Sequence, residues 1–231
     1  GPPPTLTLPT FRRQRQMCIR DRLTILENEI GPDEVDLLTD AGIPNAALLQ
    51  GSTANFFVNG FESNIFGIDL AVNSVFEVGP GSLAVDFRAN FNDQEVKNVT
   101  PSTLNAATVY DFENQVPNER INLTLDYHSD SPLSGIVRLN YYGGWGDSGG
   151  QLAAGDNSEA VSYGSNLLVD LEAAYQFNDM FRLAVGGENV FDELPDDDGH
   201  FVAELLGVDK ALTSPFGFNG AFWSVRLTAD F

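Results

Sequence analysis

Carboxylates are the side chains with the most chemistry to offer in this sequence. It holds 33 Asp and Glu against 12 Lys and Arg, a net charge of −21 over 231 residues. The densest group is Asp192, Glu193, Asp196, Asp197 and Asp198, followed by Gly199. Oxygen ligands beside a glycine suit a hard cation such as calcium, which makes Asp196, Asp197 and Asp198 candidate metal ligands. The run lacks the alternating Asp/Asn spacing and closing Glu of an EF-hand loop, so a solvated acidic loop is the simpler reading. Asp170 and Glu172 form a second pair, and glycoside hydrolysis uses two carboxylates. At i, i+2 on a strand, however, they share one face, as any polar wall would show, and no catalytic residue is assigned. His128 and His200 are too few and too far apart for a zinc motif. The lone Cys18 excludes a disulfide framework or a thiolate cluster. Gly143-Gly144 and Gly149-Gly150 lack the Lys and helix of a phosphate loop. No cofactor is implied, and the negative charge argues against a nucleic-acid partner.

The elements that position these residues read as strands. From Ala221 to the final Phe231, Trp223, Val225, Leu227, Ala229 and Phe231 fall on one face. Ser224, Arg226, Thr228 and Asp230 fall on the other, with Phe222 the exception. The same period recurs upstream. Leu167, Val169, Leu171, Ala173, Tyr175 and Phe177 oppose Asp170, Glu172 and Gln176; Phe181, Leu183 and Val185 oppose Arg182 and Glu188 in a strand expected to reach Asp192. Strands are also expected over Gly135–Trp145, Glu119–His128, Leu83–Asn92 and Phe66–Val78, the last starting as early as Phe56 with a bulge at Gly60. Leu23–Ile30 reads as one more, and Gly31–Leu49 carries a short helical signal. The tally is about eight strands.

Connections alternate between short turns (Gly79-Pro80-Gly81, Ser129–Ser134, Asn178-Asp179) and long loops (Asn98–Asn118, Gly146–Gly164, Glu193–Gly220). All short turns therefore fall at one end, as in outer-membrane barrels with short periplasmic turns and long outer loops. No stretch approaches the roughly 20 apolar residues of a spanning helix, but barrel strands need only about 9–11 residues. A membrane sheet must close, with an apolar outer wall and a polar lumen. Asp170, Glu172, Arg182 and Arg226 are then lumen-facing, with mixed signs suited to cross-strand pairing. Tyr127, Phe177, Phe181 and Phe231 stand at strand ends on the apolar wall, as membrane-interface aromatics do. A soluble β-sandwich would show the same alternation.

Gly1–Arg22 differs from everything after it, holding five of the 12 basic residues and one acid, Asp21. Its QMCIRDR run resembles a translated sequencing-adapter remnant. Residues 1–22 are therefore expected to be non-native, with a genuine basic arm as the alternative, and residues 23–231 to form the barrel portion.

The last third resembles the C-terminus of a TonB-dependent outer-membrane receptor. The resemblance rests on Leu168-Val169-Asp170-Leu171-Glu172, Asn189-Val190-Phe191-Asp192, Ser214-Pro215-Phe216-Gly217-Phe218-Asn219-Gly220, the strand to Phe231, and Phe66-Gly67-Ile68-Asp69-Leu70. It implies an all-β antiparallel transmembrane barrel of 22 strands, of which about eight are present, and a plug domain and TonB box that lie outside this piece. It further implies a non-enzymatic transporter in the outer membrane of a Gram-negative bacterium, importing a siderophore, cobalamin or oligosaccharide. The partners implied are outer-membrane lipid, the TonB complex through the plug, the barrel-assembly machinery through Phe231, and an extracellular small ligand. A soluble lectin-like sandwich and a small self-contained eight-stranded barrel remain as alternatives.

Overall fold

The computed structural model describes residues 12–14, 23–59, 61–99, 104–149, 160–200 and 207–230. The long alternating runs form one antiparallel meander: β4 (Glu62–Glu77), β5 (Gly81–Lys97), β6 (Glu119–Ser129), β7 (Leu133–Tyr142), β10 (Asn166–Gln176), β11 (Phe181–Glu188) and β12 (Phe222–Ala229). The three-residue β1 (Arg12–Gln14) adds an eighth strand on the far side of β4, within the segment expected to be foreign. The sheet is open, and β12 pairs with β11 alone.

Register puts the two faces in order. Val72, Phe87, Leu123, Leu139 and Val169 lie opposite one another across five strands, and so do Leu70, Ala89, Ile121, Tyr141 and Leu167. Between these rows run Ala71, Arg88, Asn122, Asn140 and Leu168, on the opposite face. Because paired residues share a face, the period-2 pattern of each strand becomes one continuous apolar wall and one polar wall.

Short turns close one end. Val78 N–H donates to Gly81 O around Gly79, which has φ +58°, and a Cβ on Gly81 would collide with the backbone of β6. At the β10–β11 turn the Asn178 side chain accepts from Met180 N–H and Phe181 N–H, both at 2.9 Å, which fixes the tight reversal. The opposite end carries long connections that build structure of their own. Asn105 caps α2 (Ala106–Asn114), its side-chain oxygen accepting from Thr108 N–H at 2.8 Å.

Four boundaries depart from the sequence reading. β4 starts at Glu62, while the upstream run from Phe56 belongs to β3 (Thr53–Asn59). β3 pairs with β2 (Leu23–Glu29) in a separate two-stranded sheet, so Leu23–Ile30 is a strand outside the main one; alternation reports a face, not a partner. Gly60, the expected bulge, lies outside the described residues. β7 stops at Tyr142, because Gly143 and Gly144 pack so close to Glu119 and Tyr163 that no Cβ fits freely, and Trp145 starts β8 (Trp145–Asp147), which pairs with β9 (Val161–Tyr163). β11 ends at Glu188, where Asn189 turns left-handed at φ +50°. The helical signal resolves as α1 (Pro32–Asp40) and a 3-10 turn (Ala46–Leu49).

Candidate functional site

Large apolar side chains stand exposed along the apolar wall of the sheet. Leu167, Leu171, Tyr175, Val185, Trp223 and Leu227 are all exposed, and Val225 reaches 71 %. Asp170, Glu172 and Arg182 on the other wall are half-buried, and Ala174 and Ala184 beside them are buried. Among the described residues no second sheet packs on the apolar face, since every strand–strand contact is with an in-plane neighbour. Burying such a wall in apolar surroundings yields about 25 cal/mol per Å², so its exposure in a single layer marks it for a partner phase rather than for water.

The polar wall is wired across the strands by amides. Asn122 Nδ2 donates to Asn140 Oδ1 (2.7 Å), Asn140 Nδ2 donates to Asp170 Oδ2 (3.0 Å), and Asn189 N–H donates to Asp170 Oδ1 (2.9 Å). Asn90 Nδ2 likewise donates to Asp69 Oδ1 at 2.6 Å. The expectation of cross-strand ion pairs is corrected: among the described residues the wall's ion pair, Arg88–Asp86, and its His128–Asp126 contact run along single strands. An i, i+2 pair on one strand is already on one face, whereas a long guanidinium overshoots its directly opposite partner. Arg182 reaches Ser134 Oγ at 3.3 Å, and Arg226 faces Ala184 in register.

The Asn189-Val190-Phe191-Asp192 run forms a knot at the head of this wall. Asn189, 4 % exposed, donates through Nδ2 to Glu193 O (2.7 Å) and accepts at Oδ1 from Glu193 N–H (3.0 Å). Asp192, at φ +59°, accepts from Ala221 N–H at 2.8 Å, and Gly220 packs so tightly on that carboxylate that a Cβ would overlap it. The motif thus joins β10, the end of β11 and the start of β12.

The loops above form the buried apolar cluster, Trp145, Tyr163 and Ala211 with Val161 and Phe216 against it. The three candidate metal carboxylates are drawn to different partners. Asp196 Oδ2 accepts from Gly164 N–H (2.7 Å), Asp197 pairs with Lys210 (2.6 Å), and Asp198 takes His200 Nδ1 at 2.8 Å. Among the described residues no group of three or more His, Cys, Asp or Glu is arranged to hold a metal ion. His200, whose position in the sequence gave no signal, is buried between Asp198 and the Asp147 carbonyl and links the last loop to β8. From α2, Asp111 accepts from both Ser148 N–H and Ser148 Oγ at 2.8 Å. Burial raises the Tyr163 phenol well above its usual value, and Asp198 and Asp147 raise it further. An unfolded phenol ionises near pH 10, so this contribution to loop stability is intact below about pH 10 and is lost as pH rises towards the folded value. In a tyrosinate absorbance titration, Tyr163 is expected to ionise last and Asp198→Asn to bring it down; co-titration of all tyrosines in both proteins would contradict this.

Of the interface aromatics, Tyr127, Phe177 and Phe181 stand at the short-turn end, with the Tyr175 and Phe177 rings 5.1 Å apart and Tyr127 Oη donating to Val78 O. Phe231 lies outside the described residues.

The comparisons agree with this architecture. The family described as TonB dependent receptor-like, beta-barrel matches residues 26–190. Among solved structures, the ferric yersiniabactin uptake receptor FyuA from Yersinia pestis aligns with 76 % of this chain and 25 % of its own at 16 % identity, TM-score 0.50. A structure of the FpvAI–pyocin S2 complex covers 95 % of this chain and 23 % of that one at 14 % identity, TM-score 0.49. FpvA of P. aeruginosa, bound to heterologous pyoverdine, covers 81 % and 20 % at 17 % identity, TM-score 0.43. No curated protein matches. The chain spans 20–25 % of the length of these structures. Its open antiparallel sheet is a portion of a larger barrel wall, and the chain belongs to the TonB-dependent receptor-like β-barrel family.

Proposed function

We propose that this chain forms the C-terminal part of the wall and outer loops of a receptor in the outer membrane of a Gram-negative bacterium, which imports a scarce nutrient and is not an enzyme. One observation carries the reading: among the described residues a continuous apolar wall is left without a second layer, with a polar wall behind it, where a soluble sandwich would pack its apolar wall on a second sheet. Strands of about ten residues suit a hydrocarbon layer, as the 11-residue β6 and β10 do. Outer-membrane lipid then covers Leu171 and its row, while Tyr127, Phe177, Phe181 and Phe231 meet the inner interface and Asp170, Glu172, Arg182 and Arg226 line the lumen. The long loops capture an extracellular ligand of the siderophore, cobalamin or oligosaccharide type, and TonB acts through a plug domain. Phe231 serves as the mark read by the assembly machinery. We read residues 1–22 as foreign, with β1 occupying the edge of β4 that a neighbouring wall strand takes in the receptor.

The test is made on the full-length receptor from the source genome. Expected are fractionation with outer membranes, heat-modifiable migration in detergent, and growth on a limiting nutrient that is lost on deleting TonB. Extraction without detergent would sink the proposal. So would an upstream reading frame without a plug-like domain.

A further inference from the structure

Two apolar residues interrupt the polar wall at its loop end, as Val75 and Ile136 do nearer the short turns. Phe222 breaks the alternation of β12, Leu168 breaks that of β10, and register places both on the lumen side. They line the same cavity of about 750 Å³ at the loop end, with Tyr142, Glu188, Phe216 and Phe218. Phe222 and Phe218 are 63 % and 53 % exposed, although a water-filled lumen favours polar side chains there. Glu188 lies directly opposite Phe222 in register, is exposed, and has no hydrogen bond or ion pair among the described residues. The cavity's other carboxylate, Asp170, is already satisfied by Asn140 and Asn189. No Lys or Arg is among its described lining residues. Two cations of the wall lie beside the lining: Arg138 is opposite Asp170 in register, and Arg120 is turned on to Tyr142, with its guanidinium 4.9 Å from the ring centroid and Nη2 3.3 Å from the hydroxyl.

We infer that this cavity takes an organic cation: a ligand with an ammonium or guanidinium group beside a flat apolar body. The inference rests on the receptor reading above and names the ligand class of that lumen. A single unpaired carboxylate among phenyl rings attracts a weakly hydrated cation twice, through its charge and through the ring quadrupoles. An anionic ligand would meet Glu188 with no basic residue in the lining to offset it. A neutral one would leave that carboxylate without a partner as water is displaced. The rings supply the apolar face of the site, and the carboxylate selects the sign.

The test compares benzyltrimethylammonium with benzyl alcohol and benzenesulfonate, which keep the phenyl ring but carry no charge and a negative charge, titrated by calorimetry into the full-length receptor in detergent. The cation is expected to bind roughly tenfold or more tightly than the sulfonate, with the alcohol between, and the gap should narrow as salt rises. Glu188→Gln removes most of that preference while keeping heat-modifiable migration, since the Glu188 side chain bonds to none of the described residues. Phe222→Ser weakens the cation and the alcohol together. Equal affinities, an anion preference, a preference that survives Glu188→Gln, or no heat from the cation at millimolar concentration would overturn the inference. Those outcomes in a receptor that fractionates with outer membranes leave the proposed function standing, and a wild-type protein that does not fractionate there fails on the earlier reading instead.

Discussion

Asp170→Ala is expected to lower the unfolding free energy of the full-length receptor by about 3 kcal/mol. The carboxylate is a junction: Oδ2 accepts from Asn140 and Oδ1 from the Asn189 backbone, so its loss strands two donors at once. Bonds to a charged acceptor contribute about 1.5–3 kcal/mol each, and a half-buried donor without a partner carries a desolvation cost of its own. Asn140 also accepts from Asn122, so the loss propagates to β6 and the effect should be cooperative. Asp170→Asn is milder, because its amide oxygen still accepts one bond while its NH₂ opposes the other donor. Urea titration followed by the loss of the fast-migrating band checks both. A change below about 0.5 kcal/mol for Asp170→Ala would mean that water replaces the ladder freely.

Leu171→Arg should cost about 2–4 kcal/mol, the range for a basic residue placed at the bilayer midplane on a barrel's lipid face. The residue is 41 % exposed, and a surface position of that kind facing water normally tolerates substitution within about 0.5 kcal/mol. The contrast between those two numbers distinguishes lipid from water outside Leu171. Thr124→Arg, on the polar wall in the Asn73–Asp86–Arg138 row, is the matched control and should be close to neutral. Equal effects at both positions, measured by refolding into vesicles, would show that the two walls see the same medium.

Much of this architecture could be read from the residues because a wall with one apolar and one polar face leaves a strict signature. Leu167 to Phe177 alternates without fault on its apolar side, and register then aligns that period across seven strands. Turn chemistry was equally open, since Asn178 and Gly79 act through local geometry, although the need for Gly81 also comes from the backbone of β6. What stayed hidden depends on contacts distant in sequence. Nothing around Phe56 reveals that β3 pairs with β2 rather than continuing into β4, because both partners present the same period. α2 was missed because Ala106–Asn114 is short and held by tertiary bonds, such as Glu113 to the Val96 amide at 2.8 Å. The acidic loop showed its charge but not its wiring: Asp196, Asp197 and Asp198 look like one cluster in sequence and serve three separate partners in space.

The bond from the Ala221 amide to Asp192 also decouples a loop from the strands that carry it. It pins together the two feet of the loop over residues 193–220, so the distance the loop must bridge is set at its base rather than by its own path. Closing a flexible loop costs only about 0.6 kcal/mol more for each doubling of its length. With the feet fixed, that small increment is all an insertion adds, and β12 keeps its register on β11 whatever the loop becomes. A graft of a longer or shorter loop between these feet is therefore expected to leave the wall beneath it unchanged, which separates what the loop contacts from how the strands fold.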